Sequence, residues 1–84
     1  MTIRENWALP AARIRAYLLS LDGTRQLSET HYEAGGCSVR LQPMEDSRVG
    51  GYPFTRTMVT FSGEEREVKS FRRQFMLRFL TLGG

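Results

Sequence analysis

The sequence has few of the residues that usually build metal sites, disulfides or nucleophilic centres. It contains one cysteine, Cys37, and one histidine, His31, among 84 residues. A single cysteine excludes an internal disulfide, which fits a reducing compartment, and a structural zinc site needs about four ligands. Cysteine and histidine can act as nucleophile and base, but no third residue is marked to orient them. We therefore expect no metal, no cofactor and no enzymatic activity.

Long apolar segments are also absent. No segment reaches about 18 consecutive apolar residues, the length of a membrane span, and residues 1–9 lack the apolar run of a secretory signal. Neither Gly35-Gly36 nor Gly50-Gly51 has the flanking residues of a phosphate-binding loop. We expect one cytoplasmic domain over residues 1–84, without membrane contact and of bacterial origin.

Periodicity and turn residues predict the first half of the chain. Residues 10–21 have an apolar stripe at helical spacing and end at Asp22-Gly23, which favours a helix. Asp-Gly is also a hairpin signal, so a strand over residues 13–21 stays open as an alternative. Residues 25–34 alternate as an exposed strand does, although a short helix is also compatible with them.

The second half predicts two further strands separated by a loop. Cys37, Val39 and Leu41 alternate with polar residues, which indicates a half-buried strand that Pro43 ends. Residues 44–53 combine charges, glycines and a proline and predict a loop. Residues 54–61 are rich in β-branched and aromatic residues and have apolar positions of both parities, which predicts a central strand.

Residues 62–82 predict the closing helix. Ser62 and Glu65 have the spacing of a capping box, and acidic residues precede basic ones along the segment, as the helix dipole favours. One narrow apolar stripe follows from the positions Val68, Phe71, Phe75, Phe79 and Leu82. The predicted fold is therefore α+β, with the order α-β-β-β-α, a three-stranded antiparallel sheet and both helices on one face.

Net charge makes nucleic acid a candidate partner. The chain has a net charge of +3, and its twelve basic residues are eleven arginines and one lysine. Two groups of side chains could contact phosphates or bases: the helix stripe Arg66, Lys69 and Arg73, and the strand positions Tyr52 and Arg56. The same helix stripe also fits a solvated face with Glu65 and Lys69 paired.

Two short resemblances to known families bear on function. The order α-β-β-β-α resembles the double-stranded RNA-binding domain, whose last helix begins with phosphate-binding lysines; here residues 62–67 read SGEERE, which is acidic. The C-terminal Gly83-Gly84 resembles the ubiquitin-like sulfur carriers and modifiers, whose last glycine is activated as an adenylate. Those carriers have a β-grasp fold with a strand leading into the glycines, whereas residues before Gly83 predict a helix.

The end of the closing helix has more apolar surface than one sheet can cover. Met76, Leu77 and Leu80 lie outside the stripe that faces the core. The N-terminal segment with Trp7 and Leu9 could cover them, the end could be a strand, or these residues could contact another chain, most simply in a two-fold dimer. We predict a small accessory or regulatory protein that binds a protein partner or itself, with nucleic-acid binding and sulfur carriage as alternatives.

Overall fold

A computed structural model describes residues 1–49 and 52–80, with the side chains of all of these except 45–49 and 52–55. The elements in chain order are β1 (Thr2–Trp7), α1 (Ala11–Ser20), β2 (Arg25–Gln26), β3 (His31–Ala34), β4 (Cys37–Val49), β5 (Tyr52–Ser62) and α2 (Glu65–Leu80). The strands form one antiparallel sheet in the order β1-β5-β4-β3-β2. The α+β class is confirmed, with five strands where the sequence predicted three.

Both helices pack on one face of this sheet. Because side chains alternate along a strand, odd positions of β4 and β5 and even positions of β3 point toward the helices. The buried apolar core comes from both helices and three strands: Ile14, Leu18, Tyr32, Ala34, Cys37, Val39, Leu41, Val59, Phe61, Val68, Phe71 and Phe75. We call this side the covered face of the sheet and the other side the open face.

The helical interpretation of residues 10–21 is confirmed, and the strand alternative is wrong. Helix α1 buries Ile14 and Leu18. Pro10 stands just before the first helical residue, and its carbonyl accepts hydrogen bonds from the backbone of Arg13 and Ile14. Gly23 has a φ of 82°, the left-handed conformation expected after the helix.

Helix α2 begins at Glu65, three residues after Ser62, which the capping box predicted as the N-cap. Ser62 is the last residue of β5, and it pairs with both Thr2 and Ser38. The helix starts instead at Glu65, with the amide of Val68 donating to the carbonyl of Glu64. The order of acidic and basic residues is as expected, and so is the stripe, since Val68, Phe71 and Phe75 are buried. Leu82 lies outside the described residues.

Strand β1 was not predicted. It pairs with β5 along its whole length, from Thr2 opposite Ser62 to Trp7 opposite Thr57. Its residues alternate between exposed and half-buried positions, but the residues it pairs with lie 50 to 60 positions away in the chain. The chain just after β1 is held on the covered face, because the buried Thr57 hydroxyl donates to the Leu9 carbonyl at 2.7 Å.

The loop predicted over residues 44–53 is wrong, because strand structure covers 44–49 and 52–53. Beyond the ends of β1 and β3, β4 and β5 pair only with each other, with a bulge between Met44 and Ser47. Pro43 does not end β4. The amide of Leu41 donates to Thr30 on the β3 side, so the Pro43 nitrogen faces that same side, where β3 has already ended.

Residues 25–34 form a hairpin, β2 and β3, and not one continuous strand. The expected alternation holds within β3, where Tyr32 and Ala34 are buried. Gly35-Gly36 is a turn, as predicted, and both glycines have positive φ. A Cβ at Gly35 would lie 2.6 Å from the Phe71 ring, so this glycine lets α2 pack closely on the hairpin.

Candidate binding surfaces

The last two turns of α2 present apolar side chains to solvent. Leu77 is 53% exposed and Leu80 is 59% exposed, and both exceed every other described large hydrophobic residue in exposure. Met76 is half-buried. Residues three and four apart lie on one side of a helix, so Met76, Leu77 and Leu80 flank a common surface. We call it the α2 apolar patch.

The N-terminal segment covers the stripe of α2 but leaves the patch exposed. The Trp7 ring meets Phe75 edge-on at a centroid distance of 4.9 Å and lies 6.4 Å from Phe79. Tyr17 of α1 approaches Phe79 at 5.4 Å. The alternative in which the end of the closing segment, residues 62–82, is a strand is wrong, because α2 remains helical through Leu80.

The basic stripe on α2 is mixed with acidic residues. Lys69 pairs with Glu65, with 3.6 Å between Nζ and Oε1. Arg66 and Arg73 are exposed, but Glu65 and Glu67 lie in the first turn of the helix. This helix face therefore has alternating charge, which gives phosphate little net attraction.

A second ion pair ties β1 to α2. The Arg72 guanidinium donates from Nε to Glu5 Oε1 at 2.9 Å and from Nη2 to the other carboxylate oxygen. The hydrogen bond from Arg72 lowers the pKa of the Glu5 carboxyl below its ordinary 4.5, against the opposing effect of burial. This bidentate pair holds the edge strand against the helix.

Tyr52 and Arg56 are the two strand positions that the sequence proposed as contacts to nucleic acid. Arg56 lies in β5 next to Thr57, which is buried on the covered face. Because side chains alternate along a strand, Arg56 points to the open face, where it is half-buried. Tyr52 lies at the start of β5, and its side chain lies outside the described part of the chain. Both positions belong to β5, in the part of that strand that pairs with β4 alone.

The sequence prediction missed a row of side chains on the open face. Register places Arg4 opposite Thr60, Thr60 opposite Arg40, and Arg40 opposite His31. These four residues therefore stand side by side across β1, β5, β4 and β3. The signal in the sequence was the alternation of residues 2–7, which would have revealed β1 and the orientation of Arg4.

His31 and Cys37 do not form a pair. Cys37 is buried on the covered face, where burial and the nearby Glu67 raise the pKa of its thiol to about 11. His31 instead meets Ser38, with 2.7 Å between Nε2 and Oγ. A nucleophile and a base can stand at such a distance, but no described residue hydrogen-bonds the other ring nitrogen of His31.

A shallow cleft of about 490 Å³ opens beside this histidine. Its walls include Arg25, His31, Glu33 and Ser38 from the open face and the Gly35-Gly36 turn. Among the residues described, no three histidine, cysteine, aspartate or glutamate side chains are placed to hold a metal ion. None of the described helices is long and apolar enough to span a membrane.

The C-terminal Gly83-Gly84 lies outside the described residues. The last described element before it is α2, which is helical from Glu65 to Leu80. The strand that leads into the glycines of ubiquitin-like carriers therefore has no counterpart within residues 65–80. All strand pairs in the sheet are antiparallel.

The chain is similar to a known protein family over nearly its whole length. The model of a family described as archaeal MoaD-like protein matches residues 3–84, which is nearly the whole chain and includes both C-terminal glycines. No curated protein matches the sequence.

Proposed function

The chain belongs to the archaeal MoaD-like protein family, and we propose that it acts by binding a protein partner and carries out no chemistry itself. The observation that supports this proposal is the α2 apolar patch. Leu77 and Leu80 are more than half exposed on adjacent turns of one helix. Full burial of an exposed leucine is worth roughly 1.5–3 kcal/mol, so burying the exposed half of each is worth about 1–2 kcal/mol, and the patch is a favourable contact surface.

A second copy of the chain is the simplest partner. In a two-fold dimer the same patch meets itself, so one apolar surface on each chain is sufficient. The patch also lies close in sequence to Gly83-Gly84, with Leu80 three residues before Gly83.

Light scattering after size exclusion tests self-association. At about 100 μM, a dimer with a Kd near 1 μM is almost fully formed. We expect a dimeric mass for the wild-type protein and a monomeric mass for Leu77→Glu. The matched control is Leu27→Glu, which places the same charge at a leucine that is 45% exposed between β2 and β3 and leaves the dimer intact. A monomeric wild-type protein, or a dimer unaffected by Leu77→Glu, contradicts self-association through this patch.

Sulfur carriage is the second candidate. It is supported by the family match, which extends to Gly83-Gly84, and weakened by the helical segment before those glycines. Intact-mass analysis of the purified protein should then find the added mass of a C-terminal thiocarboxylate, in which sulfur replaces one oxygen. Deletion of Gly84 should abolish that species, and a mass that always corresponds to the free carboxylate argues against the carrier function.

Nucleic-acid binding through the α2 stripe has less support, because Glu65 and Glu67 accompany Arg66 and Lys69 on this helix. Cytoplasmic location and bacterial origin remain predictions from the sequence.

A further inference from the structure

Charge divides unevenly between the two sides of the sheet. Among the described side chains, the open face has four arginines and one glutamate, a net charge of +3: Arg4, Arg25, Arg40, Arg56 and Glu33. All other described side chains together contribute seven basic and six acidic groups. The open face therefore holds most of the positive charge of the described chain.

The arginines of this face are available to a ligand. Arg4 and Arg40 are both exposed. The two ion pairs of the described chain, Glu5–Arg72 and Glu65–Lys69, do not involve them. One strand, β5, separates Arg4 from Arg40, so their backbones lie about 10 Å apart at the usual strand spacing. Guanidinium groups bind phosphate oxygens in a bidentate manner, and these two can bind different phosphates of one chain.

Polar and weakly apolar residues fill the space between the arginines. Thr60 stands between Arg4 and Arg40, and the neighbouring row consists of Asn6, Met58 and Gln42. Hydroxyl and amide groups hydrogen-bond sugars, phosphates and base edges. Met58 and the His31 ring give apolar and imidazole surface against which bases can lie.

From this arrangement we propose that the open face of the sheet binds single-stranded nucleic acid. Arg4 and Arg40 hold successive parts of the phosphate backbone, and Thr60 and His31 complete the same row. The path continues into the cleft, whose walls include His31, Ser38 and Arg25, with Glu33 opposite Arg25. Since most contacts go to phosphate, the binding is largely independent of sequence and strongly dependent on salt. The site is separate from the α2 apolar patch, which lies on a helix of the covered side.

Fluorescence anisotropy with a labelled oligothymidylate of about 12 nucleotides, within the roughly 4–16 nucleotides that one small domain covers, tests the proposal. Wild-type protein is compared with the double variant Arg4→Gln/Arg40→Gln at low salt. We expect the double variant to bind about tenfold more weakly and the slope of log K against log salt to flatten by about 1.4, since each single-strand phosphate contact contributes about 0.7.

The matched control is Arg66→Gln/Arg73→Gln, which removes the same charge from α2. It should change affinity by less than about threefold, because only long-range attraction is lost. Thermal melting followed by circular dichroism verifies that both double variants remain folded. Equal losses in the two double variants, no binding by the wild-type protein at low salt, or equally strong binding of a polyglutamate peptide would each overturn the proposal.

Discussion

The covered and open faces of the sheet are made from alternate residues of the same strands, yet they differ in polarity and in charge. On β5, Val59 and Phe61 are fully buried under the helices, while Met58 and Thr60 are half-buried on the other side. On β4, Val39 is buried and its neighbour Arg40 is exposed. The residues of the covered face thus form the core, whereas residues of the open face can be substituted without disturbing it.

This difference follows from the number of helices available. Two helices of ten and sixteen residues cover one side of a five-stranded sheet. Packing aromatic rings close this side, with Phe75 in contact with Trp7, Tyr17, Phe61 and Phe79. No described element lies over the other side, so most of its side chains are polar or charged, as is typical of an antiparallel sheet with one solvated face.

The largest effect should come from removing a covered aromatic ring. Phe61→Ala leaves a cavity among Phe71, Phe75 and the sheet, and we expect a loss of about 3–5 kcal/mol in the free energy of unfolding. Chemical denaturation followed by circular dichroism measures the change. The matched control is Thr60→Ala, one residue away on the open face, which should cost about 1 kcal/mol or less. Similar losses for both variants would contradict the contrast between the faces.

A smaller, pH-dependent effect should come from the Glu5–Arg72 pair at the edge of the covered face. Because Arg72 lowers the pKa of Glu5 in the folded protein, the pair stabilises the fold above the ordinary pKa of 4.5. That contribution is lost as the pH falls from there through the lower folded value. Glu5→Gln should therefore cost about 1 kcal/mol at neutral pH and progressively less in acid.

Denaturation curves at several pH values measure this difference. The control, Glu65→Gln, breaks the Glu65–Lys69 pair, whose side chains are 68% and 62% exposed, so its effect should be smaller at every pH. A Glu5→Gln loss that stays constant as the pH falls through this range would show that the carboxylate charge contributes nothing.

The spacing of apolar residues correctly predicted the elements that pack on the core with one side only. The stripe of α2 and the alternation of β4 are confirmed because an element packed on one side needs apolar residues at its own period. The capping box at Ser62 failed because β-sheet pairing with Thr2 and Ser38 extends β5 through that residue. Sheet pairing thus outweighed a local helix signal.

Contacts distant in the sequence account for what was missed. Strand β1 is short and contains charged residues, and its partner β5 is distant in the chain, so the alternation of residues 2–7 is a weak local signal for it. The row of side chains on the open face was missed for the same reason, because Arg4 comes into line with Arg40 only when β1 is part of the sheet. The α2 apolar patch could be predicted, since the positions of Leu77 and Leu80 depend on helical period alone.

One measurement tests the separation of the two faces most directly: mapping backbone amide shifts in ¹⁵N-resolved NMR spectra while the oligothymidylate is added at low salt. We expect the largest shifts on the open face, at Arg4, Ser38, Arg40 and Thr60, and little change on α2, at Arg66, Lys69 and Arg73. Shifts concentrated on α2, or no shifts at all at low salt, would contradict this expectation.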